Sequence, residues 1–270
     1  MLDFVMSLAI IGAFVGFIGA TLGVGGGFIL VPLLTYFYAL DAHYAIGTSL
    51  VAIVFTGLSS AIAYFKQGRL DWKLGLLTET STIPGALIGS YLTTLFSSRE
   101  LKILLAGLLV CLSISMAVRK ESMGLDIYRK IENNQWLSWE RKLVDSKGQR
   151  FEYRIDLLKL LPVGLLAGIA SGFFGIGGGV ITVPILYHLG VPIHIAIATS
   201  TLIVMLTALS GAMGHAILGH ILWRELIGIV PGILLGTQFG AYLARKMKSN
   251  ALKKLFAVVL IIMAILVLIK

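Results

Sequence analysis

The sequence predicts an all-α polytopic membrane protein: two inverted repeats of about five hydrophobic segments each, with glycine-broken or re-entrant helices. Three observations carry this prediction. Of 270 residues, 57% are hydrophobic and only 13% charged, and the mean hydropathy is +0.94, far from the composition of a soluble domain. Ten apolar segments follow one another along the chain. Finally, Gly-Ala-Thr-Leu-Gly-Val-Gly-Gly-Gly-Phe-Ile-Leu-Val-Pro-Leu-Leu at 19–34 returns as Ser-Gly-Phe-Phe-Gly-Ile-Gly-Gly-Gly-Val-Ile-Thr-Val-Pro-Ile-Leu at 171–186, identical at eight of sixteen positions.

In order, the segments fall at 4–22, 27–40, 43–64, 73–96, 101–118, 157–175, 180–190, 194–218, 224–244 and 251–269. The third, fourth, fifth, eighth, ninth and tenth have the length a helix needs to cross the hydrocarbon core. The second and seventh, which follow the triple glycines, are short. Each is either half of a re-entrant hairpin or half of a broken span, and both arrangements return the chain to its starting side. Residues 119–156 separate a first transmembrane repeat (1–118) from a second (157–270) and are the only stretch able to form soluble structure. There, Arg141–Val144 and Arg150–Arg154 alternate around a polar turn, which predicts a hairpin that leans on the membrane body.

The repeat reaches beyond the glycines. His43-Tyr-Ala-Ile-Gly-Thr-Ser49 matches His194-Ile-Ala-Ile-Ala-Thr-Ser200, and Thr56, Ser59, Gly68 and Trp72 meet Thr207, Ser210, Gly219 and Trp223 at the same spacing. Pro84-Gly85 and Gly89 match Pro231-Gly232 and Gly236 after a four-residue slip. An odd number of segments per repeat inverts the second copy. Basic residues test this: they follow the third segment at 66, 69 and 73, fill 119–159, and in the second half move to the connection between the ninth and tenth segments. The positive-inside rule then places the 119–156 loop in the cytoplasm and both termini outside the cell membrane.

Other classes are excluded in the same way. The net charge of +9 lies in short loops between apolar segments, which fits a lipid bilayer partner and not nucleic acid. Cys111 is single, so no internal disulfide forms, and Met1-Leu2-Asp3 lacks the basic start of a cleaved signal peptide. No metal site and no cofactor are expected, because no His, Cys, Asp and Glu cluster has ligand spacing, and no nucleophile comes with an evident base. An enzyme is therefore not expected. No Lys-Ser/Thr follows the glycines, so they are not a nucleotide loop.

The paired Gly-x-Gly-Gly-Gly-x-x-x-x-Pro segments, each followed by His-x-Ala-Ile-x-Thr-Ser and a Pro-Gly helix, resemble the sulfite exporter TauE/SafE family of membrane permeases. The resemblance covers almost the whole chain except the central loop. It implies a small sulfur-containing anion, such as sulfite or an organosulfonate, as the transported partner. It leaves open which anion, the direction of transport and whether the chain forms a homo-oligomer.

The residues lead to an anion independently. Discontinuous helices that meet near the bilayer midplane offer unpaired N–H groups and positive dipole ends to an anion. Gly25, Gly26, Gly27 and Phe28 open the second segment, and Gly177, Gly178, Gly179 and Val180 open the seventh. Thr48, Ser49, Thr199 and Ser200 are expected to add hydroxyls, either to the anion or as helix caps. Gly12/Gly16, Gly85/Gly89, Gly164/Gly168 and Gly232/Gly236 have the Gly-x-x-x-Gly spacing of helix packing. Glu79, alone within its span, and His215, which stands where the first repeat has Tyr64, are the candidates for proton coupling. The expected activity is alternating-access transport, with a passive anion channel or a non-transporting scaffold or sensor as alternatives. A polar cavity at the glycine breaks favours transport, and a tight dry contact there favours the scaffold.

Overall fold

A computed structural model describes residues 2–118 and 138–268 of the chain. The first half contains α1 (Leu2–Leu22), α2 (Gly27–Phe37), α3 (Ala42–Lys66), α4 (Trp72–Leu92), a short 3-10 turn at Thr93–Leu95 and α5 (Ser98–Val118). A hairpin of β1 (Ser138–Val144) and β2 (Arg150–Asp156) follows. The second half contains α6 (Leu157–Phe174), α7 (Gly179–His188), α8 (Ile193–Ile217), α9 (Trp223–Lys246) and α10 (Ser249–Leu268). The helices match the ten apolar segments closely. Residues 119–137, part of the expected cytoplasmic loop and several of its basic residues, lie outside the described residues.

Among the described residues, α1, α3, α6, α8, α9 and α10 combine the length and apolarity of a membrane span. α4 and α5 are each 21 residues long, the length expected for a crossing, and α4 is made less apolar by Glu79 and its neighbouring threonines. α2 and α7, with 11 and 10 residues, rise only about 16 Å, half the hydrocarbon thickness. Neither crosses alone.

The glycine pairs set the packing. A methyl group on Gly16 of α1 would lie 2.6 Å from the Ile233 carbonyl oxygen of α9, and one on Gly12 would strike the Ile229 carbonyl. Across the same contact Gly232, Gly236 and Gly240 press on the backbone of Ala9, Ala13 and Phe17, so α1 and α9 run parallel. Gly85 and Gly89 of α4 meet α6 at Leu165 and Ile169, and Gly168 and Gly172 reply against Thr82 and Ala86, again in parallel. Each pair joins one half of the chain to the other. Small residues let the backbones approach this closely where lipid provides no hydrophobic drive. Gly16→Val should therefore cost about 1–3 kcal/mol and lower the unfolding midpoint in detergent, because a carbonyl cannot move aside as a side chain can. An unchanged midpoint would show that α1 and α9 separate freely.

At the centre α3 packs on α8. Leu50 lies against Gly211 and Gly57 against Met205, so these two matching helices run antiparallel. One large core cluster, including Phe28, Ile53, Ile176 and Val204, draws on both halves.

The hairpin pairs Ser138 with Asp156 and Val144 with Arg150. Its inward residues Phe151, Tyr153 and Ile155 cluster with Leu74, Leu186, Ile195 and Ile203, so it leans on the membrane body. Polar contacts fix it there. Asp71, the N-cap of α4, receives Arg141 through Nε and a terminal nitrogen (both 2.7 Å), the Tyr153 hydroxyl (2.6 Å) and the Leu74 N–H (3.1 Å). Burial works to raise this carboxyl, but the hydrogen bonds from Arg141, Tyr153 and Leu74 outweigh it and hold it below its ordinary value. At the hairpin turn Asp145 pairs with Arg69 at 2.9 Å, Ser146 N–H donates to Gln67 O at 2.9 Å, and Arg245 donates to Ser146 Oγ at 2.8 Å. The hairpin thus straps the α3–α4 loop of the first half to the end of α9 in the second.

Candidate functional site

Three consecutive glycines cannot be held to a right-handed helix by side chains, and both copies break. Gly26 (φ 87°) and Gly178 (φ 74°) adopt the left-handed conformation directly before α2 and α7. Backbone hydrogen bonding resumes at Ile29 and Leu30, which donate to Gly26 O, and at Ile181 and Thr182, which donate to Gly178 O. Among the described residues, no acceptor is found for the N–H groups of Gly25–Phe28 or of Gly177–Val180. These are the orphan donors of two helix N-termini, buried at the core of the molecule.

The two breaks touch. A methyl group on Gly27 would strike the Gly175 carbonyl, and one on Gly179 would lie 2.5 Å from Val24 Cα. Ile53 of α3 and Val204 of α8 fill the contact: a methyl group on Gly25 would lie 2.5 Å from Val204 Cγ1 and 2.7 Å from Ile53 Cγ2, and one on Gly177 would lie 3.2 and 2.7 Å from the same two atoms. Sequence reasoning missed this pair. The signal was present, since each stands four residues after its Thr-Ser motif.

The Thr-Ser pairs hold the breaks together. Ser49 Oγ donates to Gly175 O at 2.7 Å, and Ser200 Oγ donates to Gly23 O. Thr48 Oγ1 accepts from Leu222 N–H and Thr199 Oγ1 from Asp71 N–H, both at 3.0 Å. Every one of these bonds crosses from one half of the chain to the other. The four hydroxyls that were expected as anion contacts or caps therefore act as reciprocal clasps on backbone. None caps its own helix: α3 is capped by Asp41, and α8 starts after Pro192 without a side-chain cap.

The coupling candidates lie on α4 and α8. Glu79 is 3% exposed, its Oε1 accepts from Thr207 Oγ1 at 2.9 Å, and its Oε2 has no partner. His215 is fully buried, with Nε2 3.0 Å from Gly172 O and Nδ1 3.2 Å from His220 Nδ1. The His220 ring is 5.4 Å from that of His43, and His43 Nδ1 is 2.7 Å from Asp41. His215 thus ends a file of imidazoles that starts at the exposed Asp41. Tyr64, its counterpart, donates to Ala20 O at 2.8 Å, so both residues also tie a central helix to its neighbouring broken one. Asp71, Arg141 and Tyr153, and Arg69 with Asp145, escaped sequence reasoning because their partners are distant in the chain.

Comparison with known proteins points to one family. A family model described as Sulfite exporter TauE/SafE matches residues 8–267. The chain is similar to "Probable membrane transporter protein YunE" of Bacillus subtilis, 32% identical over 263 residues and 94% of each chain. A "Probable membrane transporter protein" of Haemophilus influenzae is 28% identical over 284 residues, covering 98% of each chain. "Sulfite exporter TauE/SafE family protein 6" of Arabidopsis thaliana is 31% identical over 80 residues, 30% of this chain and 19% of that protein. No solved structure gives a significant match.

Proposed function

This chain belongs to the sulfite exporter TauE/SafE family, and from that premise we propose that it moves small sulfur-containing anions across the cell membrane by alternating access. One observation carries the reading. Two glycine-broken helices meet at the core with their N–H groups unpartnered, and no Lys or Arg stands among the residues of either break. Such ends attract an oxyanion through N–H groups and dipoles without the fixed charge that would hinder release. In this conformation Ile53 and Val204 close the contact, so admitting an anion requires α3 and α8 to part there. The Ser49 and Ser200 clasps keep the two breaks in register as they do.

The arrangement is that of two inverted repeats, 1–118 and 157–270. The antiparallel course of α3 and α8, together with the parallel pairs α1/α9 and α4/α6, supports it. The hairpin, the α3–α4 loop and the end of α9 gather basic residues at one face, which supports a cytoplasmic 119–156 loop with both termini outside. The packed contact between the breaks is the one observation that favours a non-transporting scaffold or sensor. A passive channel would use the same site without coupling.

Flux in proteoliposomes separates these readings. Sulfite or sulfoacetate should enter saturably and faster when a pH gradient is imposed. Flux equal to that of empty liposomes would overturn transport, and flux indifferent to the gradient would leave the channel. Glu79→Gln keeps an acceptor for Thr207 but cannot carry a proton. Its expected result is retained downhill flux that no longer responds to the pH gradient. An undiminished response would remove Glu79 and leave His215 as the coupling group.

A further inference from the structure

The two breaks are alike in backbone and unlike in what surrounds them. A methyl group on Gly26 would lie 2.5 Å from Val15 Cγ1 and 2.9 Å from Val15 O, so the pocket over the first break is full. At Gly178 the nearest atoms would be Ser171 Cβ at 3.5 Å, Ala167 O at 3.7 Å and Ser171 Oγ at 3.7 Å, which is ordinary contact without the crowding met at Gly26. Two exchanges between the repeats account for this. Val15 of α1 becomes Ala167 of α6, which removes two methyl groups, and Gly19 becomes Ser171, which brings a hydroxyl.

Among the described buried serines that hydroxyl stands apart. Ser49, Ser60, Ser90, Ser200, Ser210, Thr56, Thr78 and Thr201 all donate to carbonyl oxygens. Ser171 is fully buried, and its Oγ has no partner. Thr182, in the first turn of α7, has an unpartnered Oγ1 as well, as does Thr82 of α4. In hydrocarbon an unsatisfied donor is costly, and the helix behind Ser171 offers carbonyls that other serines here use.

We propose that the transported anion sits at the second break alone, one sulfur oxyanion per molecule, held by the N–H groups of Gly178, Gly179 and Val180 and by the Ser171 hydroxyl. The first break, sealed by Val15, is the structural counterweight that α7 moves against. This assignment rests on the transport reading above and narrows it from two half-sites to one.

The test is sulfite flux in proteoliposomes against concentration, for the wild type, Ser171→Ala, Ala167→Val and Ser60→Ala. Loss of one hydrogen bond to a charged group raises the half-saturating concentration at least about 10-fold, so Ser171→Ala should do that with an unchanged unfolding midpoint. Ala167→Val restores the residue that fills the first pocket and should weaken saturation as strongly in a folded protein. Ser60→Ala, which removes a hydroxyl bonded within its own helix, should leave the wild-type curve. A wild type without saturable flux overturns the transport reading and this assignment with it. A saturable wild type with unshifted Ser171→Ala and Ala167→Val curves overturns this assignment alone, as does a shift in Ser171→Ala that comes with a lowered midpoint.

Discussion

In Gly178→Leu, the expected result is that saturable sulfite flux falls to the level of protein-free liposomes while the protein still inserts and purifies as a folded species. The backbone there is left-handed at φ 74°, so any L side chain adds strain of about 1–2 kcal/mol. Its Cβ meets nothing closer than 3.5 Å, so the clash comes only from the rest of the leucine, which crowds the start of α7. Gly26→Leu is the weaker experiment. Its Cβ would lie 2.5 Å from Val15 Cγ1, so lost flux would mix a blocked site with a disturbed α1–α2 hairpin. Flux in Gly178→Leu that matches the wild type would remove the glycine breaks from the transport path.

Asp71→Ala should lower stability by about 3–5 kcal/mol, read as a fall in the unfolding midpoint in detergent together with protease sensitivity of the hairpin. Asp71 is fully buried, and its loss strands Arg141 and the Tyr153 hydroxyl. The effect should reach the membrane, because the Asp71 N–H is held by Thr199 of α8, next to the Ser200 clasp. The acid dependence has a definite sign. A carboxyl held below its ordinary value of 3.8 stabilises the fold above that pH, and the contribution is lost as the pH falls further toward the lowered value. The strap therefore stays fastened across the neutral range. A hairpin equally protected in Asp71→Ala would mean that Phe151, Tyr153 and Ile155 hold it by apolar contact alone.

Much of the fold was legible because membrane helices announce themselves locally. Lipid permits only long apolar runs, so the segments, the short α2 and α7 and the glycine breaks between them could be read from periodicity and from the repeat. The Gly-x-x-x-Gly pairs announced close packing but not their partners: spacing shows that a helix has a smooth face, whereas the match of Gly16 to Ile233 and of Gly168 to Thr82 depends on how the halves cross. For the same reason Ser49 read equally well as an anion contact or a cap. Its acceptor, Gly175 O, lies 126 positions away.

The sequence by itself determined the membrane class, the doubling of the chain, the breaks at 25–27 and 177–179 and the placing of basic loops, since each depends on composition or local backbone freedom. Only the tertiary structure decided that the Thr-Ser pairs clasp the opposite half, that Ile53 and Val204 close the breaks, and that Gly178 meets ordinary contacts and an unpartnered hydroxyl where Gly26 is crowded by Val15. The physical reason is that hydrophobicity and glycine act over a few neighbouring residues, whereas a hydrogen-bond partner, or the space left by Val15 or Ala167, exists only once distant backbones have met.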